Sequence, residues 1–489
     1  MGLVVTPLAS HREFSVPNRP LDQFGNLGGR ELNWNFEGGA ITSDGGVLLL
    51  KKVEERTAIL LRFAACFEDY RNPDQIEHPV LDLVAQRVYG LALGYEDLND
   101  HDELRRDPML AVALGKDDPQ GEQRRRAQDR GKALAGKSTL NRLELTAPDY
   151  DGQRYQPGAQ KPETKKIVMD PESIDALLVD LFLEAHRQAP EQIILDVDAT
   201  DDPLFGKQEG RFFHGYYRDY CYLPLYVFCG EHLLCARLRM SNIDASADSV
   251  EELAPVIARI RQTWPEVKII LRGDAGFCRD KLMAWCESHG VEYVFGLAQN
   301  ARLKKQIENE MAQVAEQYGK TQTAARVYQE FFYSTQDTWS RQRRVVSKAE
   351  HLDKGANPRF VVTSLSAEQA PMQRLYEELY CARGESENRI KEQQLDLFAD
   401  RTSTGKMWSN QLRLYFSSIG YVLLQTLRRL GLAGTEMEKA QCGTIRLKLL
   451  KIGAQIRVTV RRVWVSLAGG YPYAELFARV HANLEAVSG

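Results

Sequence analysis

The chain has 489 residues, of which 43% are hydrophobic and 27% charged, a length and composition that predict about three globular domains with a large core. Its apolar runs are shorter than the roughly 18 residues that a membrane-spanning helix needs, so an integral membrane protein is excluded. The formal net charge of −4 argues mildly against a nucleic-acid-binding protein, although phosphate contacts depend on local basic patches rather than on the total.

The first third of the chain is predicted to be an arm followed by helices. Residues 1–30 are rich in Pro, Gly and Asn and indicate an extended arm. A glycine-rich turn then leads into a helix that begins near Val47, and the apolar spacing stays mostly helical, so residues 31–146 form a mainly helical N-terminal domain. The polar, Pro/Gly-rich stretch that follows makes residues 147–175 a linker and entry to the next domain.

Residues 176–298 have a different pattern, in which apolar runs of strand length alternate with helical stretches. A helix over 246–264 precedes the fourth strand, and a helix ending at Gly290 precedes the fifth. The order β-β-β-α-β-α-β favours an antiparallel meander followed by two parallel crossovers, an α/β fold. The strands lie, in order, in EQIILDVDAT, CYLPLYVFCGE, HLLCARLRM, VKIILRGDAGF and VEYVFGLA.

The remaining third combines a hairpin with long helices. Residues 299–319 are predicted to be helical and residues 325–350 to form a β-hairpin; RFVVTSL is a short strand. A long helix is predicted over 367–396, and NQLRLYFSSIGYVLLQTLRRLGL is a largely buried one. The tail carries IRLKLLKI and QIRVTVRRVWVSL, separated by Gly453 and Ala454, which indicates a basic hairpin with alternating faces.

Three acids fall at informative places in this order. Asp196 and Asp198 lie two apart on the first strand and so share a face, Asp274 ends the fourth strand, and Glu387 lies on the helix after the fifth. This is the arrangement of RNase H-like nucleases, in which a mixed five-stranded sheet brings three carboxylates together. Carboxylates are ligands that Mg²⁺ prefers, and two such ions can activate a nucleophile and stabilise the leaving oxygen of a phosphodiester. Taken singly, each acid also has a structural interpretation as a turn or helix cap.

The helix around Glu387 presents a chemically mixed face. Tyr380, Arg383, Glu387 and Lys391 are spaced by three, four and four residues, so one helical face carries a hydroxyl, a guanidinium, a carboxylate and an ammonium. Arginine and lysine beside a metal-bound phosphate would clamp the DNA backbone. The alternative is a solvated stripe of ion pairs, which is common on surface helices.

The segments LDVDATDDPLFGKQEG, LRGDAGF and YCARGESENRIKE resemble the three blocks of bacterial insertion-sequence transposases of the DDE type, over roughly residues 35–465. The subgroup has a β-rich insertion before the last catalytic helix and the signature Tyr, two residues, Arg, three residues, Glu, six residues, Lys. Tyr380, Arg383 and Glu387 match it, whereas Gln394 stands where lysine is due and Lys391 lies one turn earlier.

The resemblance implies an RNase H-like core with a β-rich insertion, behind a helical N-terminal domain for DNA binding or dimerisation. The first part of the core is residues 176–298, the insertion is residues 299–358, and the last part of the core, with the catalytic helix, is residues 359–432. A basic C-terminal hairpin and tail follow at 433–489. The protein would be a homodimer in the bacterial cytoplasm, associated with the nucleoid and without membrane contact. It would bind double-stranded DNA, both the terminal inverted repeats of its element and the target.

The resemblance also implies the site. The acid before Ala199-Thr200 is the catalytic one, which selects Asp198 over Asp196. Asp198, Asp274 and Glu387 would hold Mg²⁺, for which Mn²⁺ can substitute, and Tyr380 and Arg383 would position the scissile strand or a flipped base. A host nuclease of the same fold and a catalytically inactive DNA-binding relative are the alternatives.

Weaker signals point to further contacts. GKALAGKS at 131–138 fits the P-loop pattern of nucleotide-binding proteins but lacks the preceding strand; a helical turn that places Arg142 against DNA, as in a helix-turn-helix, is the other interpretation. Arg457 and Arg461 in the tail are candidates for phosphate contacts.

Two residue classes complete the sequence picture. The aromatic stretch RFFHGYYRDYCY is more typical of a core than of a base-stacking surface, and His214 within it is a candidate catalytic residue. The eight cysteines contain no C-x-x-C pair, which argues against a disulfide framework or zinc site and favours a reducing cytoplasm.

Overall fold

The structure, a computed structural model, describes residues 26–32, 34–149 and 167–486. Residues 1–25 of the predicted arm and residues 150–166 of the predicted linker lie outside the described residues. Within the described ranges, no helix has both the length and the apolar character needed to cross a membrane.

Helices precede, interrupt and follow a central sheet. Shorter helices and 3₁₀ turns connect the main ones. The longer helices are α1 (Val47–Thr57), α2 (Ile59–Ala65), α3 (Val80–Ala92), α4 (Pro171–Glu184), α5 (Ser249–Thr263), α6 (Asp280–Ser288), α7 (Glu308–Thr321), α8 (Gly384–Leu397), α9 (Met407–Gly431) and α10 (Ala474–Ala486).

The described residues build one central sheet of nine strands. The strands are β1 (Gln192–Ala199), β2 (Leu225–Cys229), β3 (His232–Arg237), β4 (Lys268–Gly273), β5 (Glu292–Leu297), β6 (Ala325–Tyr333), β7 (Arg343–Leu352), β8 (Gly355–Ala356) and β9 (Arg359–Thr363). Their order is β3-β2-β1-β4-β5-β9-β7-β6, with β8 paired to β7.

The directions of the first five strands agree with those predicted from the sequence. The first three strands are antiparallel, β4 is parallel to β1, and β5 is parallel to β4, as the sequence predicted. The predicted number of five strands is wrong, because the insertion continues the same sheet: β9 pairs with β5 and the hairpin β6–β7 follows it. Phe360, Val361 and Val362 are all buried, so β9 is apolar on both faces and suits an interior position.

The two faces of the sheet have different partners. Ile193, Leu195 and Val197 of β1 pack in a hydrophobic cluster with α4, α5 and α6. Because side chains alternate along a strand, Asp196 and Asp198 point to the opposite face, which α8 and α9 cover. Both aspartates therefore face the predicted catalytic helix.

The N-terminal helices are joined to the C-terminal part of the chain. Helices α1, α2 and α3 share one hydrophobic cluster with α9, α10 and the outer strands β2 and β3. An added Cβ at Gly46, just before α1, would lie 1.8 Å from the carbonyl oxygen of Leu449. The N–H of Gly46 donates to the carbonyl of Leu450 at 3.1 Å. Glycine is required here because two backbones meet.

Two predicted elements near the C-terminus differ from the structure. The helix expected over 367–396 begins later, at Met372, and changes its winding: Leu375–Tyr380 is π-helical and Cys381–Arg383 is 3₁₀-helical before α8 begins. The tail segment IRLKLLKI is helical rather than a strand, because its buried residues follow helical spacing. The C-terminal hairpin is formed one segment later, by Ala454–Val458 and Val463–Leu467, and pairs with Ala40–Thr42.

Candidate active site

The carboxyl ends of β1 and β4 place two of the predicted acids side by side. The strands are parallel neighbours with Gly273 opposite Val197, so Asp198 and Asp274 emerge at the same edge of the sheet. Glu387 reaches this edge from the first turn of α8. All three line one cavity of about 740 Å³, together with Arg383 and Lys391. The fold thus brings together residues that are 76 and 113 positions apart.

Arg383 links two of the three acids. Its Nη1 lies 3.3 Å from Oδ2 of Asp198, and its Nη2 lies 2.5 Å from Oε1 of Glu387. Burial raises the pKa of Asp198 to about 7; Arg383 opposes this effect, and the charge of Asp274 adds to it. A cation in the cavity would therefore relieve repulsion that Arg383 balances only in part.

The cavity has the donor atoms of a hard-metal site. Asp274 uses Oδ1 to accept the N–H of Gly276 at 2.8 Å, and Asp198 uses Oδ1 to accept the N–H of Ala199. Oxygen ligands of this kind suit Mg²⁺ or Mn²⁺. However, no group of three or more acidic, histidine or cysteine side chains in the described ranges is compact enough to hold an ion. In this arrangement Glu387 is held by Arg383.

Asp196 has a structural role instead. It forms a buried bidentate ion pair with Arg272, with Nε–Oδ1 and Nη2–Oδ2 distances of 2.5 and 2.8 Å. Arg272 also donates to the carbonyl of Leu379 at 2.5 Å. The pair joins β1, β4 and the segment before α8, and it occupies both oxygens of Asp196. The sequence signal for Arg272 was an arginine inside an apolar strand, which needs a buried partner.

Tyr380 packs against the sheet next to the acids and is not among the residues that line the cavity. An added Cβ at Gly296 of β5 would lie 2.5 Å from the Tyr380 hydroxyl, so the ring rests on the sheet at a position where only glycine fits. Burial raises the pKa of Tyr380, and the charge of Asp274 adds to the rise while Arg383 opposes it. Tyr380 is therefore close to Asp274 and Arg383.

Gln394, at the position due for lysine, binds a buried acid. Its Nε2 donates to Oδ1 of Asp202 at 3.0 Å and to the carbonyl of Asp201 at 3.2 Å. Asp202 is fully buried, and its Oδ2 has no hydrogen-bond partner within the described ranges. Burial raises the pKa of Asp202 to about 8, against the opposing hydrogen bond from Gln394. Sequence reasoning missed this pair, which ties α8 to the segment after β1. Lys391 lines the cavity one turn away.

Part of the cavity wall comes from His214, Tyr216 and Tyr217, which belong to residues 202–222, called the aromatic flap below. It is a separate three-stranded sheet of Asp202–Pro203, Phe212–His214 and Asp219–Tyr222. The expectation that the aromatic side chains of RFFHGYYRDYCY fill a core is wrong for Phe212, Phe213, Tyr216 and Tyr220, which are exposed. Phe205, earlier in the flap, is exposed as well. His214 lines the cavity, and its ring lies 4.9 Å from that of Tyr217.

Other predicted contacts lie elsewhere. GKALAGKS follows a 3₁₀ turn at Ala127–Asp129 rather than a strand, and Lys137 pairs with Asp102 at 3.4 Å, so the P-loop interpretation is wrong. Gly136 precedes a four-residue helix instead of ending one, which also removes the predicted helix-turn-helix. Arg142 is half-buried in the N-terminal region, where burial lowers its pKa. Arg457 and Arg461 are exposed on the C-terminal hairpin.

Comparison with known proteins identifies a family. Residues 24–488 match the family model described as transposase DDE domain group 1. No curated protein matches the chain. Among solved structures, the piggyBac transposase synaptic complex with hairpin DNA, determined by cryo-EM, is similar at 11% identity and a TM-score of 0.38. The alignment covers 92% of this chain and 83% of that chain.

Proposed function

We propose that this chain, which belongs to the transposase DDE domain group 1 family, binds the inverted-repeat ends of an insertion sequence and catalyses Mg²⁺-dependent strand cleavage and strand transfer. The observation that carries the proposal is the cavity at the carboxyl ends of β1 and β4, where Asp198, Asp274 and Glu387 meet with Arg383 among them. The cations that line this cavity, Arg383 and Lys391, suit the negative charge of a phosphodiester better than a small neutral substrate.

The catalytic acids would hold the divalent cations. Asp198, Asp274 and Glu387 are the ligands we assign to Mg²⁺, with Mn²⁺ as a substitute. When bound, these ions supply Lewis-acid stabilisation of the charge that develops on the phosphate oxygens. The added positive charge would favour the ionised form of Asp198, whose pKa is raised by burial.

The chain's own cations would orient the phosphate. Arg383 presents a planar guanidinium, which can bind two phosphate oxygens when it releases a carboxylate. Lys391 lies one turn beyond Glu387 and contributes a point charge at the other end of the cavity. The hydroxyl of Tyr380 lies against Gly296 of β5, next to these groups. The attacking hydroxyl and the scissile phosphate would be aligned between these groups and the paired ends of β1 and β4.

We assign the DNA flanking the scissile bond to a second surface, the C-terminal hairpin. Arg457 and Arg462 lie over Trp464 at 5.9 and 5.8 Å, and Arg461 is exposed in the turn beside a fully exposed Val460. Exposed arginines on a protruding hairpin suit the phosphate backbone of a duplex. We assign the half-buried Arg142 a lesser role in DNA binding. We also propose that the active complex is a homodimer, as the family resemblance implies.

Strand cleavage tests this function. The substrate is linear DNA that carries the sequences flanking the gene on either side, incubated with the protein and Mg²⁺ or Mn²⁺. We expect the wild type to nick at the repeat ends and Asp274→Ala to lose at least about a thousandfold of the rate. Asp353→Ala, an exposed acid on a distant loop, is the matched control.

The same assay separates the alternatives. A host nuclease would cut DNA without the flanking repeats equally well, and an inactive relative would bind the ends but leave them intact. Unchanged cleavage by Asp274→Ala would disprove the assignment of the site.

A further inference from the structure

The aromatic flap exposes more aromatic surface than a folded chain normally leaves in water. Phe205 is 92% exposed, Tyr216 83% and Phe213 57%, and the three lie within twelve residues of sequence. Single exposed hydrophobic residues are common, but a contiguous group marks an interaction site. Burial in the core of this protein does not explain these side chains.

The local structure fixes the direction of the rings. Phe213 and Tyr220 are opposite each other in the ladder of the flap hairpin, with ring centroids 5.6 Å apart, so both point to one face. The turn between the strands closes at Arg218, whose φ of +59° reverses the chain and places Tyr216 at the tip. The rings are thus held on a hydrogen-bonded hairpin, which limits the entropy lost on binding.

The flap and the active site share one cavity. Tyr216 and Tyr217 line it together with Asp198, Asp274 and Arg383. The ring of Tyr216 meets that of Tyr217 edge to face at 5.0 Å, and the Tyr217 hydroxyl donates to the carbonyl of Ala199 at 3.4 Å. A continuous aromatic path therefore leads from the residue beside the catalytic Asp198 to the exposed tip.

Cations accompany the rings. The guanidinium of Arg211 lies 3.7 Å from the centroid of Tyr220, and Lys207 and Arg218 are exposed on the same flap. Aromatic faces beside cations match a ligand that has both π-faces and phosphates. Bases inside a duplex are stacked on both sides and the terminal pair on one, so unpaired bases are the ones that offer both faces to aromatic side chains.

We propose that the aromatic flap stacks on unpaired nucleobases next to the scissile phosphate, with Tyr216, which lines the cavity, as the main contact. The inference rests on the proposed function in one respect, that DNA is the substrate of this cavity. It adds a requirement: the DNA end must open by a few bases, and the flap holds the bases that leave the helix. Stacking tolerates any base, so the flap contributes affinity for opened ends rather than sequence preference.

Binding without divalent cations tests the proposal, because cleavage is then absent. The probes are two fluorescein-labelled duplexes with the flanking repeat, one blunt and one with a three-base unpaired tail at the end. We expect Tyr216→Ala to weaken binding of the tailed duplex by about tenfold and to leave the blunt duplex within twofold. Tyr216→Phe, which keeps the ring and removes the hydroxyl, restores the wild-type affinity.

The control is Phe332→Ala on β6, which removes a ring that is 71% exposed on the insertion hairpin. It leaves both affinities unchanged. Equal loss for blunt and tailed DNA, or no loss for either, overturns the proposal. So does a fall in self-association of Tyr216→Ala during sedimentation with DNA binding intact, because the flap would then be an interface between two copies. A protein that shows the tail-dependent loss but never cleaves DNA would refute the catalytic function and leave the flap assignment standing.

Discussion

Two groups of acids flank the same sheet: one lies at the carboxyl ends of β1 and β4, and the other lies on helix α6 against Arg343 of β7. At the carboxyl ends of β1 and β4, burial and neighbouring charge raise the pKa of Asp198 to about 7. Around the insertion strand β7, burial alone would raise the pKa of Asp280 and Glu287. Hydrogen bonds outweigh burial there and lower both, mainly from Ser340 and Arg343 for Asp280 and from Arg343 and Tyr293 for Glu287.

The difference separates acids that are neutralised within the chain from the acids to which we assign the chemistry. Arg343 is almost fully buried and contacts Asp280 and Glu287 at 2.7 and 2.8 Å, so this cluster is neutralised within the chain. The active-site acids share one arginine among them and carry an unfavourable charge balance. Unrelieved repulsion of this kind is typical of a site that is completed by something else.

The largest expected effect is on catalysis. Asp198→Asn keeps the shape of the side chain and removes the charge of a proposed metal ligand, so we expect cleavage to fall by at least about a thousandfold. Asp280→Asn changes the same group in the insertion cluster and leaves the cleavage rate within a few fold. Single-turnover cleavage of the same DNA measures both, and similar losses in the two variants would break the comparison.

The next effect is on folding. Arg343→Met leaves two partly buried carboxylates without their cation, and we expect the free energy of unfolding to fall by about 2–4 kcal/mol. Arg341→Met removes an exposed arginine that lies 3.2 Å from the same Glu287, and it costs at most about 1 kcal/mol. Urea denaturation measures both. A loss of cleavage without loss of stability in Arg343→Met would show that the insertion cluster is catalytic.

A third prediction concerns pH and the buried acid behind the site. Since the folded-state pKa of Asp202 is raised to about 8, the folded protein binds more protons than the unfolded one, and this group lowers stability as pH rises from about 4 to 8. Asp202→Asn removes that penalty while keeping an acceptor for Gln394. We expect the variant to be more stable than wild type at pH 9, on the order of 2 kcal/mol, and to lose this advantage at pH 5. Denaturation at both pH values decides, and an advantage that does not depend on pH would contradict the assignment.

The smallest effect concerns the C-terminal hairpin. Arg457→Gln combined with Arg461→Gln removes two proposed phosphate contacts, so the slope of log binding constant against log salt falls by about two. The control pair Lys305→Gln and Lys320→Gln makes the same change in net charge at exposed helical positions that are far from the hairpin in the sequence. Anisotropy titrations between low and moderate salt distinguish them; equal slopes in the two double variants would remove the hairpin from the DNA surface.

The sequence predicted the sheet better than its surroundings. The five strand segments and the positions of Asp198 and Asp274 follow from apolar runs, because buried parallel strands leave a plain hydrophobic signal. The size of the sheet did not follow, since nothing local shows that β9 pairs with β5. The π-helical turn before α8 was also hidden, because one extra residue in a turn barely changes the apolar spacing.

Side-chain partners that lie far apart in the sequence were the other feature that could not be predicted. Arg272 with Asp196 and Gln394 with Asp202 are pairs separated by 76 and 192 residues, and no local pattern specifies such pairing. The prediction for the aromatic flap was wrong for a different reason. A run of Phe and Tyr has the same periodicity whether it faces a core or water, so only the fold shows that Tyr216 is exposed.

The close contact between Gly46 and Leu449 has a consequence for how the protein is made. Helices α1 to α3 complete their hydrophobic core only with α9 and α10, which a ribosome adds more than three hundred residues later. Until then the first helices emerge with an apolar side that has no native cover, a state prone to aggregation and chaperone binding. A nascent chain stalled before residue 407 should therefore remain protease-sensitive in its first third, while one released after residue 486 closes both ends of the molecule in a single late step.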